Sequence, residues 1–113
     1  MPIPAALEED EVGAAAGPTA EEAAADALES LALRLDVYWL AHGGTYTGAR
    51  RAPLGAGPGA EVLRAAGSGY CIQAPLHRGA VVKRGPAAQL RLSSRRGAAA
   101  CLGPTRPLDP ARL

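Results

Sequence analysis

The sequence predicts an α+β domain, one long N-terminal helix packed on a small antiparallel sheet of three to four strands. Three observations predict it. The run from Ala20 to Ala41 contains neither Gly nor Pro. After residue 68, short apolar runs alternate with Gly and Gly-Pro punctuation. The chain has 113 residues, the size of one domain with a modest core.

The helix has a start and a stop. Thr19 and Glu22 form a T-x-x-E capping box, which satisfies free backbone donors at a first turn. His42, Gly43 and Gly44 end the run, and a protonated His42 would also suit the negative end of the helix dipole. At 1.5 Å per residue the helix spans about 33 Å. Ala24, Leu28, Leu31, Leu35, Tyr38 and Trp39 recur at the spacing of a buried face. Leu33, Val37 and Leu40 add a second apolar side in the last turns. The expectation is that the C-terminal half of the helix packs on more than one surface.

Residues 43–59 read as loop, and residues 60–67 (AEVLRAAG) as a short helical turn. Strands follow at Gly69–Ala74, Ala80–Arg84 and Ala87–Ser93. In the third, Leu90 and Leu92 alternate with Gln89 and Arg91. Gly79 and Gly85-Pro86 punctuate them, and such short connections favour an antiparallel meander. Residues 1–18 read as a disordered acidic tail, residues 19–103 as the domain, and residues 104–113 as an irregular Pro-rich tail.

The chain has no Phe, one Trp and three Tyr, so Leu, Val, Ile and Ala must build the core. The helix offers Leu28, Leu31, Leu35 and Tyr38. The sheet offers Ile72, Val81, Val82, Leu90 and Leu92. Tyr38, Trp39, Tyr46 and Tyr70 fill the seam between the two layers. Net charge is +1, but nine of the eleven acidic residues lie between Glu8 and Asp36, and eleven of the twelve basic residues lie from Arg50 onward. Such segregation suits either two solvated surfaces of opposite sign or complementary contacts between neighbouring molecules. No apolar run of about 18 residues exists, and the first residues lack the basic and apolar regions of a secretory signal.

Candidate chemistry is sparse. Cys71 and Cys101 are the only cysteines, and a disulfide or two buried free thiols both fit them. A zinc site from His42, Cys71, His77 and Cys101 lacks the close ligand pairs that structural zinc uses. A Cys71 nucleophile needs a base in reach, and His77 is not brought there by strand alternation. Gly55, Gly57 and Gly59 are not followed by Gly-Lys-Ser/Thr, and Pro58 removes a donor, so they make no phosphate loop. Arg50-Arg51 and Arg95-Arg96 provide the cationic excess that phosphates attract. Only Tyr46 and Tyr70, outside the helix, remain to stack on bases.

The order of motifs is similar to a known pattern. Tyr38 and Trp39 stand near the helix end, Gly44-Thr45-Tyr46-Thr47 follow directly, and Ser68-Gly69-Tyr70-Cys71-Ile72 precedes a short sheet and the late Cys101. Over about residues 20–103 this resembles the globular region of type IV pilins and pseudopilins. The resemblance implies a Cys71–Cys101 disulfide, a pilin-like fold, and a structural role as subunit of a surface filament or secretion apparatus. Partners would be copies of itself or related subunits, with no enzyme activity, cofactor, metal or small-molecule substrate. Members of that family begin with a basic leader and a long apolar helix, whereas residues 1–18 here are acidic and polar. Membrane attachment is therefore expected only through a segment absent from this chain. With an upstream anchoring helix the location would be extracytoplasmic or at the cell surface, and without one cytoplasmic. The alternative is a small cytosolic nucleic-acid or protein-binding adaptor with free thiols.

Overall fold

The Thr19 hydroxyl accepts the Glu22 amide at 3.1 Å while the Glu22 carboxylate accepts the Thr19 amide at 2.8 Å. This reciprocal pair starts α1, Ala20–Ala41. The computed structural model describes residues 19–54 and 59–108. The acidic tail of residues 1–18, most of the glycine-rich run at 55–59 and the last five residues lie outside them. At the far end of α1 the Gly44 amide donates to the Trp39 carbonyl at 2.9 Å, with Gly43 at φ +72° and Gly44 at φ +85°. That is the closing bond of a Schellman cap, and two successive left-handed residues explain why both are glycine. The predicted start and stop of the helix match the observed ones.

Five strands make one antiparallel sheet in sequential order: β1 Glu61–Ala66, β2 Gly69–Pro75, β3 Ala80–Lys83, β4 Arg91–Ser93 and β5 Thr105–Pro107. The α+β class and the antiparallel meander hold, but the expected three to four strands become five. Residues 60–67 are not a helical turn. Their Ala, Glu, Leu and Arg are good helix formers, but intrinsic preference is small per residue and pairing with β2 overrides it. An extra residue, Leu63, bulges between Val62 and Arg64 on β1. The Pro-rich tail is not wholly irregular either, because Thr105–Pro107 pairs with β4. As an edge strand it tolerates proline, which has no N–H to give. The strand expected at Ala87–Ser93 shrinks to Arg91–Ser93. Ahead of it, residues 84–90 form a loop that Lys83 ties by donating to the Pro86 and Ala88 carbonyls, at 3.2 and 2.6 Å.

Strand alternation sends Tyr70, Ile72 and Ala74 of β2 toward α1, together with Val81 and Leu92. Against them lie Leu28, Leu31 and Leu35, each at most 2 % exposed. Burying each such leucine stabilises the fold by about 1.5–3 kcal/mol relative to exposure. Cys71 and Gln73 face the opposite way. There a 3-10 turn, Gly97–Cys101, lies across the sheet as a strap and buries Ala100 against Ala80 and Val82. Val82 thus belongs to the back of the sheet, not to the helix-facing core expected from sequence, and Leu90 is only partly buried. The described residues form three layers: helix, sheet and strap.

Candidate interaction surface

The helix end is fixed by its neighbours. The Tyr38 hydroxyl donates to the Thr47 carbonyl at 2.6 Å, and the Tyr46 amide donates to the Gly67 carbonyl at 2.8 Å. The Gly67 amide returns a bond to the Thr47 hydroxyl at 2.9 Å. The Gly44-Thr45-Tyr46-Thr47 segment therefore clips the helix end to the β1–β2 turn. His42 stacks on Tyr38 with ring centroids 3.7 Å apart, and its Nδ1 donates to the Tyr38 carbonyl at 2.9 Å. The aromatic rings continue inward, from Trp39 to Tyr46 at 4.7 Å and from Tyr46 to Tyr70 edge-on at 5.0 Å. Leu28, Leu31, Leu35, Tyr38, Tyr46 and Tyr70 are buried in one cluster, with Trp39 partly buried against it.

The outer face of α1 is different. Leu33 is 65 % exposed, Val37 65 % and Leu40 79 %. Spaced i, i+4, i+7, they form one stripe that nothing in the described residues covers. The second packing surface expected for the C-terminal half of the helix is not found among the described residues. Periodicity places Glu29 and Asp26 on the same face, one and two turns earlier respectively, with Asp36 on its flank. All three are exposed and make no hydrogen bond or ion pair among the described residues.

Beside the stripe, between α1 and the β3–β4 loop, runs a cleft of about 640 Å³ bounded by Glu29, Leu33, Asp36, Tyr70, Lys83 and Leu90. A second recess of about 410 Å³, lined by Asp36, Trp39, Leu40, Tyr46 and Pro86, shares Asp36 and Pro86 with it. Asp36 stands in both. Burial and then the Asp36 charge push the Tyr46 phenol up from its ordinary value. Tyr70 is pushed up further, by burial first and then by Tyr46 and Asp36. Burial lowers the Lys83 ammonium, and Asp36 partly offsets the effect. The cleft is thus an apolar and aromatic furrow with a carboxylate rim.

On the back, Cys71 and Cys101 are joined by a disulfide with Cα atoms 6.0 Å apart, and neither cysteine is free. This bond differs from the free thiols expected under the adaptor alternative, and in it Cys71 has no thiol to act as a nucleophile. The Gln73 side chain accepts the Gly97 amide at 2.9 Å and donates to Glu61 at 2.8 Å. The Arg84 guanidinium donates to the Ala100 carbonyl at 2.8 Å and the Gly103 carbonyl at 2.5 Å. Sequence reasoning missed this strap, although the late cysteine and the short Gly97-Ala98-Ala99-Ala100 run marked its place. Its end exposes Leu102, at 78 %. The Arg95 stem lies next to Gly103, beside that leucine.

Other candidates do not gather into a site. Among the described residues no cluster of three or more His, Cys, Asp or Glu side chains could hold a metal ion. Gly55 and Gly57 lie outside those residues. Tyr46 and Tyr70 are 3 % and 5 % exposed, so neither presents a ring on which a base could stack. No helix among the described residues is long and apolar enough to cross a membrane. Comparison of the chain with known protein families, with curated proteins and with solved structures finds no match in any of the three.

Proposed function

We propose that this chain is a structural, pilin-like or pseudopilin-like subunit of a surface filament or secretion apparatus, and that it works by associating with copies of itself or with related subunits. The observation that carries this is the open stripe of Leu33, Val37 and Leu40 on a helix whose other side is fully seated on the sheet. Three large apolar side chains left in water at regular spacing are the mark of a contact surface. The motif order from Tyr38 to Cys101 supplies the resemblance, and the disulfide agrees with an oxidising compartment. The reading is one of assembly and not of turnover.

The test is made on protein from its native cells. Envelope, shed-surface and cytosolic fractions are separated, and the protein is alkylated before and after reduction and weighed intact. The expected result is recovery in the envelope or shed fraction, with both cysteines alkylated only after reduction. Recovery in the cytosol with both thiols alkylated at once would overturn the proposal and favour the adaptor alternative.

A further inference from the structure

We propose that the open face of α1 docks on the strap side of a second copy, with Asp36 receiving Arg95 and the Leu33–Val37–Leu40 stripe receiving Leu102. This rests on the assembly reading above and names the partner surface.

The two surfaces complement each other in three respects. The first is apolar area. Four large hydrophobic residues stand exposed among the described residues. Three form the helix stripe, and the fourth, Leu102, sits at the end of the strap on the opposite side of the sheet. The second is charge. Asp26, Glu29 and Asp36 make no hydrogen bond or ion pair within the subunit among the described residues, and the cation that Asp36 acts on is Lys83 across the cleft. On the strap side, Arg64 and Arg95 are exposed and make no side-chain hydrogen bond there. The fold keeps these opposite charges on opposite faces, so they can meet only between molecules. The third is shape. The recess beside the stripe offers the partly buried Trp39 ring next to the Asp36 carboxylate. An aromatic face beside a carboxylate suits a planar guanidinium, which stacks and hydrogen-bonds at once.

Because the donor and acceptor surfaces differ and lie on opposite sides, the contact is heterologous. Each copy that docks presents a fresh acceptor, so the arrangement propagates instead of stopping at a dimer. That is the geometry a filament subunit requires.

The test is sedimentation velocity of the oxidised full chain at low salt and at about 1 M salt, where screening shortens the reach of charges to about 3 Å. Asp36→Arg and Arg95→Asp are each made alone and in one chain, and circular dichroism checks that each remains folded. Each single variant is expected to associate at least about tenfold more weakly than the wild type at low salt, since like charges then meet at the contact. Mixing the two single variants is expected to restore association, because in an alternating chain every contact again pairs opposite charges. The double variant should recover for the same reason. A wild type that associates, with single variants and salt making no difference, would overturn this inference and leave the assembly reading standing. Singles that weaken without rescue by mixing or doubling would also overturn it. A wild type that stays monomeric at every concentration would overturn both. Leu102→Ser gives an independent check: unaltered association would contradict the apolar half of the contact.

Discussion

Removing the disulfide by Cys71→Ala/Cys101→Ala is the perturbation whose cost the structure sets most directly. The bond joins residues 30 apart in sequence and closes β2, β3, β4 and the strap into one loop. On the chain-entropy relation, a loop of that length restricts the unfolded chain by about 3.6 kcal/mol at 25 °C. A packing term adds to it, because Cys71 is 2 % exposed and loses its sulfur contacts. What remains to hold the strap is the bonding of Gln73 to Gly97 and of Arg84 to Ala100 and Gly103. Bonds of this kind contribute about 1 kcal/mol each, somewhat more for the charged guanidinium. Total stability of a domain this size is on the order of 5–10 kcal/mol, so the loss is a large fraction of it. The assay is urea unfolding of the oxidised chain and the double-alanine variant, followed by far-ultraviolet circular dichroism. A midpoint shift corresponding to about 3–4 kcal/mol is expected. A loss below about 1 kcal/mol would refute the reasoning that the bond constrains the unfolded chain and secures the strap.

Other perturbations test other parts of the fold. Leu35→Ala, at a fully buried position between α1 and the sheet, should cost about 2–5 kcal/mol by urea unfolding, and a cost under 1 would deny it a core position. Gly79 sits at φ +77°, where an added Cβ would run into the Ser93 carbonyl. Gly79→Ala should therefore lower the melting temperature by on the order of 10 °C, and an unchanged melt would contradict that close approach. The folded chain holds the Tyr46 and Tyr70 phenols above their ordinary value of 10.0. In that window the folded state keeps protons the unfolded chain releases, so this stability is complete below pH 10 and is lost as pH rises further. Lys83, lowered from 10.5 by burial, acts in the opposite sense as pH rises toward that value. Thermal melts should fall above pH 10 less steeply in Tyr70→Phe than in the wild type, and equal slopes would contradict the burial of that phenol.

The helix was legible because its signals are local. Thr19, Glu22, Gly43 and Gly44 act within a few residues of themselves, and their bonds are found as the sequence implies. The strands after Gly69 were legible for a similar reason, since glycine marks their turns. β1 was not, because Glu61–Ala66 has helix-favouring residues and becomes a strand only through pairing with β2. β5 was hidden by prolines, which an edge position accepts. The stripe was half legible: periodicity shows that Leu33, Val37 and Leu40 share a side, but not what covers it. The strap depends on contacts between Gly97–Cys101 and strands more than twenty residues earlier, which no local pattern encodes.

The most direct measurement is self-association of the oxidised wild-type chain against Val37→Glu, by sedimentation velocity over a range of concentrations. Val37 lies mid-stripe and is 65 % exposed, so the substitution leaves the core untouched. A wild type that associates with rising concentration, and a folded Val37→Glu that remains monomeric, is the predicted result. Equal behaviour of the two proteins would contradict the claim that the open face of the helix is an assembly surface.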